Sequence, residues 1–311
     1  MWVSFVRRHK VTIAIVAVAL GLGAYLYFVD SGRVTTTEAE ARKRNLLPAF
    51  RRADISELVI EDKGDTICIL KRGDDAGEAM YYLDGELADQ TAVDKTLSVI
   101  EFATAERRLD ETVDRAAMGL QAPATRLTVS MGALTFRLAI GAPAPAPKGA
   151  AYAEVQGEGV VVVAKDLVTE LTRPRDAYRG RTLVPYLSSS LAEFRIEGAG
   201  DARHFVMGAW GGWAILLEKG TKVRTDRDAF DRVLTSLAEV RAEAFTTEAG
   251  AERALSAASD KLRLTMLPRD GALPRAILDI GGECPAHPED TVALRIEPPP
   301  KKAACVPKGV L

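Results

Sequence analysis

Hydrophobic and polar positions along this chain fall into three patterns. The first is a continuous apolar run, VTIAIVAVALGLGAYLYFV, bounded by Val11 and Val29 and free of charged side chains. A helix of that length reaches about 28 Å, close to the hydrocarbon thickness of a bilayer. The second pattern is alternation. ISELVIE (55–61), DTICILK (65–71) and AMYYL (79–83) are separated by turn-rich segments, which predicts hairpin strands. RLTVSM (126–131) and LTFRLAI (134–140) flank Gly132 as a second hairpin, and YAEV (152–155) and VVVVA (160–164) read as two more strands. GAPAPAPKG (141–149) reads as an extended surface loop, because proline has no N–H for a sheet ladder. The third pattern is helical. In ADQTAVDKTLSVIEFAT, Val93, Leu97 and Ile100 fall at i, i+4 and i+7, with Asp89 placed to cap the first turn. KDLVTEL (165–171) predicts a short helix after the last strand.

The same order then recurs. FDRVLTSLAEVRAEAF (230–245) lies 137 positions after VDKTLSVIEFATAERR (93–108), setting Phe230 on Val93, Leu234 on Leu97 and Leu237 on Ile100. LAEFRIE (191–197) matches ISELVIE, and HFVMG and GWAILL follow it. RLTM (263–266) repeats RLTV (126–129), and AILDIG (276–281) repeats FRLAIG (136–141) with a slip of three positions. VALRIE and ACVPK stand where YAEV and VVVAK stood. Such ordered matches predict a duplicated module of about 135 residues, an ordinary domain size. Lys165 opens a helix in the first copy while Lys308 is followed by three residues, so the second copy reads as incomplete at its C-terminus.

Composition narrows the class. Lys plus Arg number 41 against 43 Asp plus Glu, a net charge of −2, and aromatic residues make up 6%. Nucleic-acid-binding surfaces show a basic excess and stacking aromatics, so no nucleic-acid partner is expected. Arg7, Arg8 and Lys10 precede the apolar run and Asp30 follows it, which puts the N-terminus inside and the bulk of the chain outside the cytoplasmic membrane. A cleaved signal peptide is the competing reading. The run exceeds the usual apolar core, and Phe28, Val29 and Asp30 offer no small-residue cleavage site, which favours a retained anchor.

Tyr81 and Leu83, Ala88 to Asp94 with Leu97, Gly119-Leu120 with Pro123, and YRGRTLV at 178–184 form a pattern that resembles the bacterial domain of unknown function number 4340. The resemblance covers about residues 50–185, and the second copy lacks the xGLxxP element. It implies an N-terminal membrane helix, and a setting among ABC-type transport or gliding-type export components. It implies no catalytic residue.

The chain carries no G-x-S-x-G elbow, phosphate loop or H-E-x-x-H pair. His9 precedes the apolar run and His204 lies in a strand, neither with an evident catalytic partner. Glu57 and Glu61 read as solvated strand positions, GEGVVV (157–162) as a turn, Trp213 as core and Trp210 as the more exposed tryptophan. Cys68 reads as a small buried residue. Cys284 and Cys305 belong to the second copy alone and predict a disulfide closing the proline-rich loop between them. A metal set of Cys284, His287, Asp290 and Cys305 ranks below it, since zinc sites use tighter paired spacings.

Together these readings predict an α+β protein: an N-terminal transmembrane helix, then two tandem repeats of a mostly antiparallel sheet with one main helix each. The segments are a cytoplasmic tip and membrane helix (1–30), a linker (31–50), a first repeat (51–185) and a second (186–311). The expected function is a non-enzymatic scaffold or accessory subunit in an envelope ABC-type transport or gliding-type machine. It would need no cofactor or metal and would bind protein partners of the cell envelope. The rival is an extracytoplasmic enzyme or small-ligand receptor with a site between the repeats.

Overall fold

The alternation at Leu127, Val129 and Met131 buries every second residue, and the chain repeats this device to build two sheets in one computed structural model. The structure describes residues 42, 44–73, 79–110, 113–198, 200–217 and 220–309. The first sheet contains β1 (Ile55–Asp62), β2 (Asp65–Gly73), β3 (Ala79–Leu83), β4 (Glu86–Leu87), β5 (Ala105–Arg108), β6 (Thr125–Met131), β7 (Leu134–Pro143), β8 (Ala151–Val155) and β9 (Gly159–Val163). The second contains β10 (Leu191–Gly198), β11 (Asp201–Met207), β12 (Trp213–Leu216), β13 (Lys222–Arg224), β14 (Ala244–Phe245), β15 (Leu262–Pro268), β16 (Ala276–Glu283), β17 (Asp290–Glu297) and β18 (Lys302–Pro307). The helices are α1 (Gln90–Phe102), α2 (Lys165–Leu171), α3 (Arg227–Glu239) and α4 (Glu248–Ala257).

The strand orders are β4-β3-β2-β1-β6-β7-β8-β9-β5 and β13-β12-β11-β10-β15-β16-β17-β18-β14, the same path taken twice. The agreement extends to register. β1 opposes β6 with a bulge between Ile55 and Glu57, and β10 opposes β15 with a bulge between Leu191 and Glu193. A bulge adds one residue and bends its strand, so its recurrence at the same place marks a shared backbone design.

The helical periodicity holds in both halves. Val93, Leu97 and Ile100 on α1 are buried, as are Phe230, Leu234 and Leu237 on α3. Asp226 caps α3 by accepting from Ala229 N at 3.1 Å. In the second core Phe230 stacks on Phe205 with ring centroids 4.3 Å apart and meets Trp213 edge-on at 5.1 Å.

Three expectations change, and a fourth falls on residues that are not described. The α+β class gives way to two nine-stranded antiparallel sheets with few helices, because short polar segments such as AERR complete the sheets as edge strands. No helix among the described residues is long and apolar enough to cross a membrane; the run from Val11 to Val29 lies outside the described residues. The second unit holds two helices, α3 and α4, rather than one main helix. β7 runs on to Pro143, opposite Ala151, so the proline-rich segment begins inside a central strand.

The unit boundaries are interleaved. One unit is Met1–Ala79 with Thr91–Arg173; the other is Met80–Gln90 with Pro174–Leu311. In the first, Leu46, Leu47 and Phe50 are buried, so packing starts inside the stretch read as a linker. In the second, α4 lies on β16, β17 and β18 and encloses a small core of Ala251, Leu255, Val292 and Leu294 with the two cysteines.

Candidate functional site

The strongest concentration of buried charge lies in the second unit, where the β3–β4 hairpin meets the segment 178–184. Asp84 and Gly85 both have positive φ, 56° and 82°, and Leu83 opposes Glu86 across them. An Asp-Gly pair of this kind makes a tight two-residue hairpin whose twist matches the strands. The turn directs Glu86 at two cations. Arg295 on β17 and Lys302 on β18 are directly opposed, and both are almost fully buried at 7% and 3% exposure. Lys302 Nζ lies 2.8 Å from Glu86 Oε2, and Arg295 pairs with the other carboxylate oxygen. Leu138 faces Val155 in the first sheet where Leu278 faces Arg295 in the second, so a buried apolar position has become a cation.

The 178–184 segment and Pro300 supply the remaining acceptors. Lys302 Nζ donates to the Gly180 carbonyl at 3.0 Å and Arg295 Nη2 to that of Pro300 at 3.0 Å. Gly180 is required by close approach, because a Cβ there would lie 2.2 Å from the Leu87 carbonyl oxygen. Tyr178 is buried and accepts from Asp89 N at 2.9 Å, while Arg179 bridges to Ala88 and stacks on the Phe245 ring at 4.0 Å. Ala242 N donates to the Arg181 carbonyl at 2.8 Å, and Leu183 and Val184 enter the second core. The family-pattern residues Leu83, Ala88, Asp89 and 178–184 are thus brought together here.

Burial, with Arg295 and Arg179 nearby, lowers the Lys302 ammonium to about 8, and the Glu86 carboxylate at 2.8 Å works in the opposite direction. Burial likewise lowers Arg295. Arg295 Nε is buried without a hydrogen-bond partner among the described residues. A cavity of about 220 Å³ beside the cluster is lined by Asp84, Glu86, Arg175, Arg179, Gly180 and Lys301. Its rim charges are paired: Arg175 with Asp84, Arg179 with Asp176, and Lys301 with Glu248 and Glu252. Lys302 resembles an activated amine by burial alone. Its hydrogens are directed at Glu86 and main-chain carbonyls, so the arrangement acts as an ionic latch on the hairpin rather than as a nucleophile.

Cys284 and Cys305 are joined in a disulfide with Cα atoms 5.6 Å apart, inside the small core under α4. Metal ligation requires thiolates, so this bond removes both sulfurs from the four-ligand set. His287 is exposed and lies 3.3 Å from Glu289, while the Asp290 main chain pairs with Cys284 N and His287 O. His204 does have a partner: Nε2 is 2.9 Å from Glu193, which also receives Arg195. Burial raises the Glu193 carboxyl, but those two hydrogen bonds outweigh it and hold the group below its ordinary value. Glu57 accepts from Ser130, and Glu61 pairs with Arg126 at 3.8 Å. Cys68 is half-buried rather than buried and contacts Glu57 at 3.5 Å. Trp213 is core and Trp210 is 48% exposed. Val11, Val29 and His9 lie outside the described residues.

Sequence reasoning missed Glu86, Arg295 and Lys302. Asp84-Gly85 signalled the hairpin that aims Glu86, but nothing local signalled that two distant cations meet it.

Fold and site define a protein of two antiparallel sheets of common topology, the second locked by buried ion pairs. The chain belongs to the DUF4340 family, described as a domain of unknown function, whose model matches residues 83–259. That match is one run from β3 to just beyond α4, so it extends past residue 185 and starts later than residue 50. No curated protein and no solved structure matched the chain.

Proposed function

We propose that this protein is a non-enzymatic scaffold of the cell envelope, held to the cytoplasmic membrane through the uncharged run 11–29 with its folded units outside. The observation that carries the reading is the repeated strand order, which presents two related sheets on one chain. The Cys284–Cys305 bond supports a compartment that permits disulfides. The transport setting implied by the family resemblance supplies the partner class, components of an ABC-type transporter or gliding-type machine. Two related surfaces on one chain suit a repeating or two-part partner, because linked contacts raise avidity by about 10²–10⁴.

The test is cross-linking in intact cells of the tagged full chain, followed by mass spectrometry. Envelope proteins, transporter components among them, are expected. Recovery of the tagged chain alone would defeat the scaffold reading. A receptor for a small ligand is the second reading, favoured by an open groove of about 920 Å³ beside α4, lined by Ala254, Leu262 and Ile280 together with Asp260, Glu283 and Lys308. A small molecule that co-purifies with the chain and is lost on filling that groove would support it.

A further inference from the structure

Each sheet has two margins, and three of the four are continued by another segment. Ala88, just past β4, bridges to Arg179; Thr104, just before β5, bridges to Asn45; and Arg241, just before β14, bridges to Thr182. Among the described residues no such bridge flanks β13, which ends the second sheet with Lys222, Val223 and Arg224 all exposed.

The direction of its free backbone groups follows from its neighbour. Leu217 N donates to Thr221 O at 2.8 Å, and Thr225 N donates to Trp213 O at 3.0 Å. Bonded and non-bonded pairs alternate along an antiparallel ladder, so Val223 is bonded to Ile215 while Lys222 and Arg224 turn their N–H and C=O groups outward. Beside these groups stands Trp210, with the Arg224 guanidinium 4.7 Å from its ring centroid. The nearby acids are engaged or set back: Asp226 caps α3, Asp231 pairs with Arg227, and Asp228 lies in the first turn of α3.

From this geometry we propose that β13 is a docking edge for an extended acidic segment of a partner protein, which adds to the sheet as a tenth strand. Charge selects the occupant. A second copy of the same edge would set Lys222 and Arg224 against their like, the device by which edge strands deter self-association. A strand with carboxylates at alternate positions would meet these cations, while its main chain bonds Lys222 and Arg224 and its apolar side chains reach Val223 on the opposite face.

This inference rests on the scaffold reading and names its contact chemistry. The probe is a synthetic peptide of alternating valine and glutamate added to the full chain. Amide hydrogen exchange should slow by about tenfold at Lys222 and Arg224 and change little at Val223, already bonded within the sheet. The double variant Lys222→Glu/Arg224→Glu should weaken binding by about tenfold or more. Lys222→Pro, which removes an outward N–H and leaves the β12 ladder intact, should also weaken it. A lysine-for-glutamate peptide that binds equally well would overturn the proposal, as would protection that arises from dimers without peptide. Recovery of the same envelope proteins by the double variant in cells would sink the docking edge and leave the scaffold reading standing. Failure of the unaltered chain to recover any would sink the scaffold, while peptide protection still decides the chemistry of the edge.

Discussion

Asp279 shows how much one residue can change a duplicated design. It is 2% exposed on β16, at the position that Ala139 holds in the first sheet, since Arg126 opposes Ala139 and Arg263 opposes Asp279. Arg263 donates to both carboxylate oxygens at 2.7 and 2.8 Å, and Lys261 lies at 2.9 Å. Burial pushes this carboxyl up, but the hydrogen bonds from Arg263 and Lys261 outweigh it and hold it below its ordinary value of 3.8. A carboxyl lowered in the folded state contributes stability that is full above its unfolded value and lost as pH falls through the folded one. Asp279→Asn should therefore cost about 2–3 kcal/mol at neutral pH, below the range for a fully buried pair because both cations are partly exposed. Urea midpoints of the two proteins should converge in strong acid, and a gap that stays constant there would contradict this. Arg263 was legible in the sequence as part of the repeated RLT motif. Its partner was not, because AILDIG slips three positions against the repeat and only the observed register sets Asp279 opposite it.

Among elements, length separates what the sequence showed from what it hid. α1 and α3 run 13 residues each, long enough for the 3.6-residue period to show in the buried triads. β4 and β14 have two residues each, and β13 and β5 are short and mostly exposed, so no alternation develops; their partners define them. α4 was missed because its buried face consists of small residues around Leu255, although Thr247 marks its start by accepting from Gly250 N at 3.1 Å. This helix covers the cystine, and the two together form a core separate from the one under α3. The chain between Cys284 and Cys305, a sequence separation of 21, would gain about 3 kcal/mol from cross-linking in the chain-entropy model. Reduction should lower the urea midpoint accordingly, and exchange should rise first at the amides of α4 and β18. An unchanged midpoint after complete reduction would show that the small core holds without the bond.

For the whole molecule, the sequence repeat matches the doubled strand order, while the compact units divide at other positions than the repeat itself. Matching LAEFRIE to ISELVIE suggests a cut at residue 185, because strand patterns are what the repeat aligns. The second unit nevertheless includes 80–90 and 174–185, segments whose membership is decided by side chains such as Glu86, Leu183 and Val184. A fragment of residues 186–311 would retain all nine strands of the second sheet yet lose both segments. Removal of Glu86, Gly180 and Thr182 takes away the ion pairs and carbonyl acceptors that fix Arg295 and Lys302, and opens both cations to solvent. Loss of Leu183 and Val184 opens the core beside Leu234 and Leu237, at about 2–3 kcal/mol for each large side chain removed. With the lost ion pairs, those costs reach the lower part of the 5–15 kcal/mol that hold an ordinary domain folded. The fragment should therefore show a non-cooperative thermal transition and poor amide dispersion by NMR. A cooperative transition of the unaltered fragment at the midpoint of the full chain would show that the latch and the 178–184 segment do not stabilise the second unit.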